Sequence, residues 1–198
     1  MLASITPLGE RGRNSRWWLT VAAHLAGAAV AGAALGALLG LLGTPLPDGR
    51  VPLAFAAGLA VVGALVDARV GGVRLPTVHR QVDDGWLDQY RGWVYGLGFG
   101  FQLGLGVTTV VTTPAVYLTL VLALLSGSWP AGLVIGLVFG AGRGLAPLTT
   151  RRIRHPEQLR QRHRRFAALE APTRRLTVTG QALAGVGLAV AALVAVTA

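Results

Sequence analysis

The chain has 198 residues, 53% hydrophobic and only 13% charged, with a formal net charge of +10 and a mean hydropathy of +0.56. That balance excludes an ordinary soluble domain and places the chain in a membrane. There is no cysteine, which excludes disulfides, thiolate metal sites and thiol redox chemistry; all 18 basic residues are arginine, a bias that, with the abundant Ala, Gly, Leu and Val, suits a bacterial source.

Arg11, Arg13 and Arg16 precede the first apolar run, residues 18–43, which is longer than the roughly 7–15 residues of a signal-peptide core and reads as a retained span. A second run covers 51–68 after the turn "TPLPDGR". Next comes "RVGGVRLPTVHRQVDDGWLDQYRG", too charged to cross. In it, "DDGWLDQYRGW" predicts a short helix with Trp86, Leu87, Tyr90 and Trp93 on one side and Asp83 or Asp84 as its cap. Residues 93–127 are apolar but interrupted by "GVTTVVTTPAVY", 130–148 form another span, and 177–197 close the chain. Between the last two lies an arginine-rich stretch from Arg151 to Arg175, in which "HPEQLRQRHRRFAALEAPTRR" reads as a short helix with Leu159, Phe166 and Leu169 as apolar anchors, fit to lie on anionic lipid.

The arginines set the expected topology. If 93–127 crosses once, the N-terminus, Arg143 and the loops 69–92 and 149–176 fall on one side and together hold every arginine except Arg50, and that side is the cytoplasm. Six crossings put the most basic loop outside, so the expected architecture is an all-α polytopic transmembrane helical bundle of about five spans, in one integral membrane domain over 1–198. A straight helix over 93–127 would be near 50 Å long against a bilayer core of about 30 Å. The segment is therefore expected to kink or break around its Thr-Thr-Pro.

An internal repeat is suggested by "AGLAVVGALVDAR" at 57–69 and "AGLVIGLVFGAGR" at 131–143, and more weakly by "LTVAAH" at 19–24 and "LTVTGQ" at 176–181. Such repeats are common in transporter folds. Glycines recur every four residues at 92–104, at 132–144 and at 32–40; small-residue stripes of this kind let helix backbones approach closely, within one chain or in an oligomer.

On a continuous helix, Tyr95, Gly98, Gln102, Gly106, Thr109, Thr113 and Tyr117 share one face. Two readings stay open for its threonines: they satisfy the carbonyl of Val110, left without a donor by Pro114, or they hold a solute at a broken helix. His24, inside the first span, and Arg143, near the cytoplasmic end of another, are ionisable groups of the kind that face a cavity or a partner, although His24 can equally hydrogen-bond a neighbouring helix and Arg143 can snorkel to headgroups. Asp67 and Arg69 fall in the same interfacial layer. The expected substrate-binding set is His24, Gln102, Thr109, Thr113, Tyr117 and Arg143, with no cofactor and no metal. No carboxylate pair, metal cluster or activated nucleophile can be assembled, so no enzyme is expected, and the basicity follows from topology rather than from nucleic-acid binding.

The stretch "YGLGFGFQLGLGVTTVVTTPAVYLTLVLALLSGSWPAGLVIGLVFGAGRGLAP", residues 95–147, resembles the second half of the CcdA and DsbD transmembrane family, within the LysE-type transporter superfamily. Shared features are a Gly-Phe-Gly entry and a small-residue helix interrupted by proline. The family's cysteine pair is absent, and its six spans exceed the five counted here. The resemblance implies a bundle with a broken helix at its centre, compatible with transport. The expected function is thus a small bacterial inner-membrane transporter or exporter of a small solute; the alternative is a non-catalytic membrane subunit or assembly component of a larger membrane complex, with a homo-oligomer also open.

Overall fold

Apolar runs of this length leave the backbone one economical solution in a bilayer, because a helix satisfies its own N–H and C=O groups. The computed structural model describes residues 5–47, 49–72 and 85–195, and every regular element among them is helical. In chain order these are α1 (Pro7–Gly12), α2 (Trp17–Leu42), α3 (Arg50–Asp67), α4 (Trp86–Gln89), α5 (Gly92–Gly104), α6 (Ala115–Leu125), α7 (Trp129–Gly144), α8 (Pro156–Ala168) and α9 (Glu170–Val194). Among the described residues four stretches are long and apolar enough to cross a membrane: Trp17–Leu42, Arg50–Asp67, Trp129–Thr150 and Glu170–Val194. The expected cap residues Asp83 and Asp84 lie outside the described residues.

The chain divides into two compact units. The first holds residues 1–35, 78–110 and 136–168; the second holds 36–77, 111–135 and 169–198. Helix α2 therefore belongs to the first unit through Leu35, and α7 joins it from Gly136.

In the first unit the glycine stripe of α5 packs on α2. A Cβ added at Gly96, Gly100 or Gly104 would strike the backbone carbonyl of Thr20, His24 or Ala28 in turn. Both members of each pair advance by four residues, so α2 and α5 run parallel in fixed register. Helix α7 meets α2 the other way round: Gly140 abuts Ala28 and Gly32, while Gly136 abuts Gly32. The α1–α2 end is sealed by a small core of Ile5, Val21, Tyr95 and Phe99, on which Trp86 of α4 stacks, its ring 6.1 Å from Phe99 and inclined by 25°. The short helix is thus narrower than expected: Trp86 turns inward, whereas Tyr90 and Trp93 remain exposed.

In the second unit α3 packs on α9 and α6 through a small-residue face of Ala56, Ala57, Ala60, Gly63 and Ala64. Gly185 of α9 nests against Ala57, Ala60 and Val61. Gly132 of α7 abuts Gly36 and Gly40, and Gly43 abuts the carbonyl of Leu124. Helix α9 begins at Glu170, well before the apolar run at 177, and its exposed first turn meets Arg69 in an ion pair of 2.9 Å.

Candidate functional site

The threonine segment is where regular structure stops. Helix α5 ends at Gly104 and α6 starts at Ala115; at 1.5 Å per residue they are about 20 Å and 16 Å long, each short of the roughly 30 Å apolar core. Gly106 turns the chain out of α5 with φ +79°, a conformation that favours glycine. Pro114 then stands at the N-cap of α6, where its missing N–H costs no helical hydrogen bond. The continuous polar face expected from Tyr95 to Tyr117 does not form, because 105–114 is not helical. Nor does Pro114 strip Val110 of a helical donor, since no helix passes through either residue.

Backbone groups freed by the break need partners, and nearby side chains supply them. In the first unit Thr108 donates its hydroxyl to the carbonyl of Gln102 at 2.6 Å. Arg143 reaches over from α7, donating to the carbonyl of Gly106 at 3.2 Å and to the Thr109 hydroxyl at 3.3 Å. Its guanidinium also lies over the Phe139 ring, 5.4 Å from the centroid. Arg143 is therefore a strut for the break rather than a side chain snorkelling freely.

In the second unit Thr113 accepts from the N–H of Ala115 at 3.2 Å, capping α6, and donates to a carboxylate oxygen of Asp67 at 2.6 Å. The same oxygen accepts from the Gln181 amide, also at 2.6 Å. Gln181 is 4% exposed, its other amide atom has no hydrogen bond, and a Cβ at Gly63 would collide with it. One carboxylate thus fastens the end of α3, the start of α6 and the middle of α9.

The six expected site residues do not assemble into one constellation. Arg143 and Thr109 meet in the first unit, Thr113 belongs to the Asp67 group of the second, and half-buried Gln102 offers its backbone carbonyl, not its amide, to the break. Tyr117 lies on α6, half-buried. His24 is 1% exposed, with Gly100 packed against its backbone and no hydrogen bond of standard geometry at either ring nitrogen.

Sequence reading missed two acids. Asp67 was assigned to the headgroup layer, yet Gly63 one turn earlier on the same face signals room for a partner there. Glu10, 0% exposed, accepts from Arg13 at 2.8 Å, from Thr20 at 2.7 Å and from the Tyr95 hydroxyl. It joins α1 to α2 and α5, with Arg13 over the Tyr95 ring at 5.6 Å from the centroid. Among the described residues no group of three or more His, Asp or Glu is placed to hold a metal ion.

The structure defines a class, an all-helical protein with helices long and apolar enough to span a membrane and a charge-braced break between two short ones. No family model matches the chain and no solved structure matches it. It is similar to the methylamine utilization protein MauF: 33% identical over 149 residues to that of Methylorubrum extorquens and 35% over 150 to that of Methylophilus methylotrophus, covering in each case 73% of this chain and 52% of the relative. To MauF of Paracoccus denitrificans it is 30% identical over 178 residues, 84% of this chain and 64% of the relative. The chain spans about half the length of the first two relatives. These relatives overturn the expected kinship with the CcdA and DsbD family, whose likeness rested on glycine spacing that any closely packed helix pair produces. They overturn the small-solute transporter or exporter as well, and the threonines and Arg143 on which that reading leaned are bonded to the protein itself.

Proposed function

We propose that the chain is a non-catalytic accessory or assembly component of a larger membrane complex, serving methylamine utilisation. Similarity to MauF over 73% of the chain is the observation that carries this reading. The site geometry is in keeping with it: the charged and hydroxyl groups at the break are committed to Arg143 and Asp67 contacts, as suits a scaffold whose polar groups fix its own shape. Deletion of the gene in the native host tests it. Growth on methylamine as the only carbon source should fail while growth on succinate continues, and purification of the tagged chain from methylamine-grown membranes should bring down a defined heteromeric complex. Undiminished growth on methylamine would overturn the proposal.

From the arginine distribution we also infer that the chain lies in the bacterial inner membrane with its N-terminus in the cytoplasm, 93–127 making one of five crossings. Helix α8, with Arg160, Arg164 and Arg165, then lies on anionic lipid of the cytoplasmic leaflet. Because the chain has no cysteine, Arg160→Cys gives a single labelling site. It should react with a membrane-impermeant maleimide only after the cells are opened; labelling from the periplasm would overturn this orientation.

A further inference from the structure

Parallel packing brings the N-terminal ends of α2 and α5 side by side, and a cleft of about 690 Å³ opens there within the first unit. Its walls include Arg13, Ser15, Arg16, Tyr90, Arg91 and Trp93. Three of these are arginines. Glu10 lies beneath it, fully buried, and holds Arg13 by an ion pair of 2.8 Å, so one cation of the three is fixed in place and neutralised from behind. Arg16 and Arg91 are exposed and enter no ion pair among the described residues. Arg91 is also the N-cap of α5, in extended conformation with no side chain capping the helix, and the positive end of the helix dipole adds to the arginine charge.

A cleft of this charge selects an oxyanion, and guanidinium forks match phosphate oxygens in two-point contact. Its rim suggests the source of that phosphate. Tyr90 and Trp93 are 49% and 47% exposed where an apolar helix begins, as aromatic side chains are at the depth of lipid headgroups. We propose that this cleft is a binding site for the phosphate of an anionic phospholipid headgroup, separate from the arginine surface of α8 and independent of the part played in methylamine utilisation.

The test uses the full chain in neutral detergent, with retention of dioleoyl phosphatidylglycerol against dioleoyl phosphatidylcholine followed by native mass spectrometry. Arg16→Gln with Arg91→Gln should weaken phosphatidylglycerol retention by about tenfold or more, the scale of two charge-assisted contacts, with helix content unchanged by circular dichroism. Arg16→Lys with Arg91→Lys should fall between wild type and the glutamine pair, because the charge stays while the two-point contact is lost, and Arg160→Gln with Arg164→Gln on α8 should leave retention near wild type. Equal retention by the glutamine pair, or an equal loss in the α8 pair, would overturn the site. Inorganic phosphate is the second probe: saturable binding that vanishes in the glutamine pair, with phosphatidylglycerol retention unaffected, would overturn the lipid assignment in favour of a soluble phosphate.

Discussion

Asp67 anchors the second half of the threonine segment and Arg143 the first. A carboxylate oxygen that accepts two hydrogen bonds of 2.6 Å leaves two donors stranded when removed, and stranded buried donors cost more than the lost bond itself. Asp67→Ala should destabilise the protein by about 2–4 kcal/mol, and Thr113→Val by about 1–3 kcal/mol, since it takes away both the donor to Asp67 and the cap of α6. Thermal unfolding in detergent checks both, and Thr112→Val is the control, its side chain being exposed. Glu10→Ala should be at least as damaging, about 3–5 kcal/mol, because it strands Arg13, Thr20 and Tyr95 together. At this scale the sequence was half legible. Threonines beside a proline announce a backbone in need of partners, and Thr108 and Thr113 do bond backbone groups at the break, though not the Val110 carbonyl. What hid the partners is distance along the chain, since Asp67 and Gln181 meet across 114 positions and no local spacing encodes that.

Glycine stripes are the most legible feature among the elements. A period of four marks the face on which a helix admits another backbone, and the stripes of α5 and α7 both lie against α2. Spacing alone does not name the partner or its direction; those come from the constant step of the contacting pairs. The structure separates glycines by consequence. Gly100→Val and Gly140→Val drive a side chain into the carbonyl of His24 or Ala28, so α2 must part from α5 or α7, and loss of the folded form is expected. At Gly142 and Gly187 nothing lies within 4 Å of an added Cβ. There Gly→Ala should be neutral or raise stability by up to about 1 kcal/mol, the helix-propensity gain. Melting curves of the four variants, with size-exclusion profiles to detect unfolded aggregates, distinguish the two classes.

For the whole molecule, apolar run length marked the class, because a bilayer demands long apolar helices. Helix α9 begins earlier than the apolar run, its start from Glu170 to Leu176 being helical but carrying charge, and composition marks where lipid starts rather than where a helix does. The functional expectation failed for a related reason. Transporters and membrane scaffolds share broken helices, small-residue stripes and buried polar groups, so only the relatives, not the pattern, divide them.

The parallel pairing of α2 with α5 also has a consequence for biosynthesis. Thr20, His24 and Ala28 are made long before Gly96, Gly100 and Gly104, and at about 5–20 residues per second the interval is on the order of several seconds. Throughout it α2 presents a buried threonine and a buried histidine to lipid or to the insertion machinery, with their eventual cover not yet translated. The first span is thus the one most dependent on being sheltered as it emerges, and the speed with which the ribosome reaches α5 sets how long that dependence lasts.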